Sequence, residues 1–439
     1  MPKTTCPPSD LTMMETRETR LGNGIRVVTA ALPRVQSVAV GVWVGVGGRY
    51  ESAKFSGISH FIEHLLFKGT ERRKARDISR AIEGRGGICN AFTQEESTCY
   101  YARIAYDHAW KTFDILSDMY LHPRFDQADI DRERGVIAEE IMMYRDQPEH
   151  VVQEMLIENL WRDHELGRPL IGSPETLKNI SREQIIAFKR KKYVPESTVL
   201  TFTGKVNHDE CVKKAAQQVG HVRPARAPSY RLVNAAVPQR NMALKGREIE
   251  QTHMALGFRI FGRHDKRRYA LKALNVILGE NMSSRLFQTI REKNGLAYSI
   301  SSGMQLFAET GALVINAGLD KNRREKAVEL VLREIKRLKD EEVGLKELNL
   351  AKEYIVGHLR LALESPLGQM MWLGEHILNY GTVIPPEEIV AAVAAVRAED
   401  VQKTAAAVFK DRLATLAILS PGVSETDHKI MSQMLAALS

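Results

Sequence analysis

The order of elements along this chain is repeated, and that repetition limits its architecture more than any other feature. Leu21-Gly22-Asn23-Gly24 reads as a turn between two strands, the second being Ile25 to Ala30. Val38 to Val46 (VAVGVWVGV) suits a strand facing a helix layer, and Ser56 to Phe67 turns helical, with apolar residues at three- and four-residue spacing. A helix at Ala75 to Gly84 and strands at Ile88 to Thr93 and Ser97 to Ile104 follow, then long helices over Asp107–Leu121 and Gln127–Arg145. After residue 247 the order returns: strand Thr252–Phe258, helices Arg268–Leu278 and Leu286–Lys293, strands Ala297–Met304 and Gly311–Ala317, and long helices from Arg323. The ordering predicts an α+β protein of two similar sandwich domains related by duplication, each a mainly antiparallel sheet packed with helices.

Between the two runs, residues 223–247 carry prolines at 224, 228 and 238 and are expected to be a linker. The expected division is a flexible leader at 1–20, an N-terminal catalytic domain at 21–222, and a C-terminal domain at 248–439. The longest apolar run is about half of the ~20 residues a membrane-spanning helix needs, so no membrane association is expected. The leader lacks an apolar secretory core and carries acidic residues. A cytoplasmic location is therefore expected, with the mitochondrial matrix as the alternative. The net charge of +8 is a mild excess at this length. The one dense basic run, Lys189 to Lys192, reads as a solvated helix end, so no nucleic-acid partner is expected. Cysteines at 6, 89, 99 and 211 are too scattered for a disulfide framework. Reduced thiols are expected, although Cys89 and Cys99 share a hairpin.

Chemistry concentrates in His60-Phe61-Ile62-Glu63-His64. The i, i+4 spacing sets both imidazoles on one helix face, where they can reach a single metal ion, and Glu63 projects beside them. This is the inverted H-x-x-E-H arrangement of a zinc hydrolase. A third ligand has to come from elsewhere. The helical segment Asp131–Tyr144 offers Glu133, Glu139 and Glu140; Glu133 and Glu140 share a face, while Glu139 points about 100° away. One ligand and one carboxylate orienting a ligand histidine would fit that pair, but spacing alone does not choose between them.

Gly57-Ile-Ser-His60-Phe-Ile-Glu63-His64-Leu-Leu-Phe-Lys68-Gly69-Thr70, followed by Gly86-Gly87-Ile-Cys-Asn90-Ala91-Phe92-Thr93, resembles the insulinase/pitrilysin family of zinc peptidases. The likeness is to the branch of half-length subunits that includes mitochondrial processing peptidase and its bacterial relatives. The resemblance implies one Zn²⁺ per chain, held by His60, His64 and Glu140, with Glu63 as general base and Glu133 as supporting carboxylate. It implies that substrate peptides add to the Asn90-Ala91-Phe92-Thr93 strand. Ser283-Ser-Arg-Leu-Phe287 and Arg291-Glu-Lys-Asn-Gly-Leu-Ala-Tyr298 resemble the family's distal signature, which implies that Arg291 and Tyr298 reach a catalytic chamber. Two domains make half of such a chamber. The resemblance thus implies a homodimer, or a heterodimer with an inactive homologous subunit, with sites shared between subunits. The implied activity is a zinc metalloendopeptidase acting on unstructured or presequence-like peptides; the alternative is a non-catalytic core-type subunit of a larger complex.

Overall fold

A strand as uniformly apolar as 38–44 needs cover on both faces, and the computed structural model of the chain supplies it. Residues 15–234, 241–436 and 438 are described. The first half contributes strands β1 (Thr16–Arg20), β2 (Arg26–Ala31), β3 (Ser37–Val44), β4 (Ile88–Thr93), β5 (Thr98–Ala105) and β6 (Thr198–Gly204). They form one sheet in the order β1-β2-β6-β3-β5-β4, antiparallel except where β2 meets β6. Its helices are α1 (Ile58–Leu66), α2 (Ala75–Ile82), α3 (Ala109–Leu121), α4 (Gln127–Arg145), α5 (Pro148–Leu160), α6 (Pro174–Asn179), α7 (Arg182–Lys192) and α8 (His208–Val219).

The second half repeats this plan. Strands β7 (Asn241–Gly246), β8 (Thr252–Phe261), β9 (Ala297–Leu306), β10 (Thr310–Leu319) and β11 (Ala414–Ser420) form a sheet in the order β7-β11-β8-β10-β9, parallel only at β7–β11. The helices are α9 (Arg268–Asn275), α10 (Arg324–Asp340), α11 (Leu345–Leu363), α12 (Pro366–Tyr380), α13 (Pro386–Ala395), α14 (Ala398–Val408) and α15 (Glu425–Ala436). The fold is α+β with two like sheet-and-helix units, as the element order predicts. The expected helices at 268–278 and 286–293 each contain a wider, π-helical turn, at Val276–Glu280 and Phe287–Lys293.

Two expected boundaries shift. The leader expected at 1–20 loses residues 16–20, which pair with β2, Glu18 meeting Arg26 in an ion pair. Residues 1–14, with Cys6, lie outside the described residues. The linker expected at 223–247 loses residues 241–246, which form β7, whose Met242 and Leu244 pack on the second core. The prolines upstream mask that short alternation. Residues 224–234 carry neither helix nor strand, and residues 235–240, with Pro238, lie outside the described residues. Cys89, Cys99 and Cys211 are free thiols; Cys89 faces Ala102 and Cys99 faces Phe92 across the ladder, so the hairpin does not pair the two cysteines.

Chain order does not follow packing. One face of the first sheet is covered by helices of its own half, but the other takes α12: Met370, Leu373 and Ile377 pack on Val28, Ala39, Trp43 and Val199. In return, α5 lays Val152, Leu156 and Leu160 on Ala255, Ala417 and Leu419 of the second sheet. Each half therefore completes the other's core. The fit is close where α12 crosses β3: a Cβ at Gly374 would stand 2.0 Å from the Trp43 ring, so only glycine allows that approach.

Candidate metal centre

The zinc-type motif sits on α1, whose inner face buries Ile58, Phe61, Ile62, Leu65 and Leu66. Two devices set its start. Gly57 has φ of +94°, and a Cβ there would meet the Ile171 carbonyl at 2.7 Å, so only glycine turns the chain here. No side chain at the cap position satisfies the first N–H groups. The buried carboxylate of Glu51 does so instead, accepting from Gly57 N and Ser59 N at 2.7 Å each. Burial pushes Glu51 up to about 7, opposed by those two donations. Sequence reasoning missed Glu51, because an acid seven residues before the start of a helix matches no capping pattern.

His60 and His64 face one way, one turn apart, with ring centroids 4.6 Å from each other. α4 packs against α1 and brings its Glu140 carboxylate to 3.9 Å from His60 Nε2 and 3.7 Å from His64 Nε2. One donor atom from each of His60, His64 and Glu140 falls within a 4.8 Å span. Two turns earlier on the same face, buried Glu133 lies 3.2 Å from His64 Nδ1 and accepts from Lys68 Nζ at 2.8 Å. Glu139 is exposed. The packing of α4 thus brings Glu140 to the Nε2 side of both rings and Glu133 to the Nδ1 side of His64.

Burial pushes His60 down to about 4, and neighbouring His64 adds to the shift, so its imidazole is neutral, the form that donates a lone pair. At 3.9 and 3.7 Å, neither ring nitrogen is close enough to hydrogen-bond the Glu140 oxygen. Two imidazoles with one carboxylate, converging within 4.8 Å, suit Zn²⁺ with a coordination position left open. Glu63 stands beside the cluster, its Oε2 accepting from Thr93 Oγ1 at 2.5 Å. Burial pushes Glu63 up, while the Thr93 hydroxyl and His64 oppose it and Glu140 reinforces it.

A cavity of roughly 590 Å³ opens next to His60 and Glu140. Glu95, Glu154 and Glu158 line it from the first half, and Met304 and Gln305 of β9 from the second. Asn90-Ala91-Phe92-Thr93 lies on β4, at the edge of the first sheet, and Thr93 reaches the cavity. Arg291 and Tyr298 are not brought to the cluster within this chain. They lie outside the cavity lining, with the Arg291 guanidinium 5.9 Å from the Tyr298 ring centroid and Tyr298 77% exposed.

Both halves of the chain resemble known proteins. Residues 26–174 match the family model described as Insulinase (Peptidase family M16), and residues 179–355 match the one described as Peptidase M16 inactive domain. An uncharacterized zinc protease of Bacillus subtilis is 36% identical over 399 residues, covering 91% of this chain and 97% of that protein. One from Mycobacterium tuberculosis is 38% identical over 425 residues, 96% of each. A Helicobacter pylori protease of known structure superposes with a TM-score of 0.87, covering 93% of this chain and 100% of that one; at 22% identity that likeness speaks to the fold alone. These matches define a protein of the metallopeptidase class. More narrowly, the chain belongs to the insulinase family, peptidase family M16.

Proposed function

We propose that the chain is a zinc-dependent endopeptidase that cleaves unstructured or presequence-like peptides inside a closed chamber. The observation that carries this reading is the convergence of His60, His64 and Glu140 donors beside a hydrogen-bonded Glu63 at a cavity mouth. His60, His64 and Glu140 would hold one Zn²⁺ per chain, and Glu133 would orient the His64 ring through Nδ1. Bound zinc supplies the Lewis acidity that makes water nucleophilic near neutral pH. Glu63 takes the water's proton at its carboxylate and returns it to the leaving amine.

The edge position of β4 supports strand addition by an extended peptide, held through main-chain hydrogen bonds that depend little on sequence. Glu154 and Glu158 against Arg168 leave the cavity wall mildly acidic in a chain of net charge +8, which favours peptides with basic residues. The expected readout is cleavage of a long quenched peptide that stops on chelation and returns when one equivalent of Zn²⁺ is added. A zinc-loaded protein that cuts no flexible peptide would reject the reading. No helix among the described residues is long and apolar enough to cross a membrane; a cytoplasmic enzyme is the reading that fits the sequence.

The exposure of Tyr298, with half-buried Arg291 beside it and both outside the cavity lining, supports a homodimer in which each subunit offers this pair to its partner's zinc, donating to the substrate carbonyl and its oxyanion. An inactive homologous subunit is the alternative partner. Mixing Glu63→Gln with Tyr298→Phe subunits tests the sharing, since only a shared site restores one intact centre per mixed dimer. Recovery to about a quarter of wild-type activity is expected from random pairing. No recovery after verified subunit exchange would place both residues with their own zinc.

A further inference from the structure

We propose that Thr93 is a positioning residue for the general base: its hydroxyl holds the Glu63 carboxylate in its working orientation and does not serve as a substrate contact. The inference rests on the reading of Glu63 as the base. Its physical ground is the alternation of β4. Phe92 turns to the α12 side, its ring 5.6 Å from Trp43 in an edge-on contact, while Ala91 packs with the core under α1. Thr93 shares the Ala91 face, and from there Oγ1 donates to Glu63 Oε2 at 2.5 Å. The backbone of β4 at this point is fixed by the Thr93–Thr98 pairing and by the turn in which Gln94 N donates to Ser97 O.

A glutamate side chain has three rotatable bonds, and a donor anchored on a different element removes the freedom that α1 alone would leave to it. A hydroxyl that has given its proton to Oε2 has none left to donate to a peptide carbonyl, while Glu63 Oε1 is left to take a proton. Strand and base are thereby joined: the strand proposed to receive the peptide also aligns the group proposed to act on it.

The test compares Thr93→Val, which keeps the shape and strand preference but removes the hydroxyl, with Thr93→Ser, which restores it. Hydrogen bonds to charged groups set the scale: kcat of Thr93→Val is expected to fall roughly 10- to 100-fold. KM and zinc content should stay unchanged, and Thr93→Ala should show the same loss should the valine variant fold poorly. Thr93→Ser should return to within about threefold of wild type. An unchanged kcat in Thr93→Val, a loss confined to KM, or a serine variant as impaired as valine would overturn the proposal. Glu63→Gln measured in parallel separates the two ideas. If that variant is active, the base assignment falls and Thr93 with it. If it is inactive while Thr93→Val is fully active, only the Thr93 proposal falls.

Discussion

Replacing Glu63 with glutamine is expected to lower kcat for peptide hydrolysis by about 10²- to 10⁴-fold, the usual contribution of a positioned proton-transfer group. Zinc content should be unaltered. Glutamine has the same shape, and its amide oxygen can still accept from the Thr93 hydroxyl, so the hydrogen bond across to β4 survives. What is lost is the basic carboxylate. His60, His64 and Glu140 keep their positions because none of them contacts Glu63 through a hydrogen bond in the structure. Initial rates on a quenched peptide and metal analysis of the same samples decide the matter. A variant that retains zinc and more than about a tenth of wild-type kcat would assign the base elsewhere.

A second large effect is expected far from the chemistry. Arg49→Ala should destabilise the protein by about 3–5 kcal/mol, as removal of one partner from a buried ion pair does. The Arg49 side chain is fully buried between the two halves, donating to Glu96 of its own half and to Glu309 of the other, with the Tyr230 ring 3.9 Å from the guanidinium carbon. Arg263, in the second half, crosses the other way to Glu96 and also reaches Asn379. The two arginines hold matching places in the two units. Arg49 N donates to Glu95 O in the β4–β5 hairpin, and Arg263 N donates to Phe307 O in the β9–β10 hairpin. Losing Arg49 leaves Glu309 without its ion-pair partner and opens a void at the seam. A denaturant midpoint lowered with an altered slope would show the halves separating before they unfold. A loss below about 1 kcal/mol would mean that water re-solvates both carboxylates at little cost.

Local pattern carries much of this protein. The helical spacing of Ile58, Phe61, Ile62, Leu65 and Leu66 is enough by itself to define α1, and with it the common face of His60 and His64. α4 falls on the residues its periodicity indicates, and the repeated element order announces two like units. The short strand β7 is hidden because its alternation spans few residues beside a proline-rich stretch. The π-helical turns at 276–280 and 287–293 are hidden too, since their apolar spacing is close to that of an α-helix.

Contacts between residues distant in sequence are another matter. Periodicity narrows the third donor to one face of α4, but Glu140 meets the histidines and Glu133 meets His64 Nδ1 only because α4 packs on α1 at one particular angle and height. The same holds for Thr93 reaching Glu63, for Glu51 capping α1, and for α5 and α12 exchanging sheets. The physical reason is the range of the forces involved. Backbone hydrogen bonding and side-chain periodicity act over a few residues, so the sequence alone reveals the helices, the strands and the paired histidines. Burial is non-directional and satisfied by many partners, so which apolar face covers which, and therefore which carboxylate arrives beside the paired histidines, is settled only when the whole chain closes on itself.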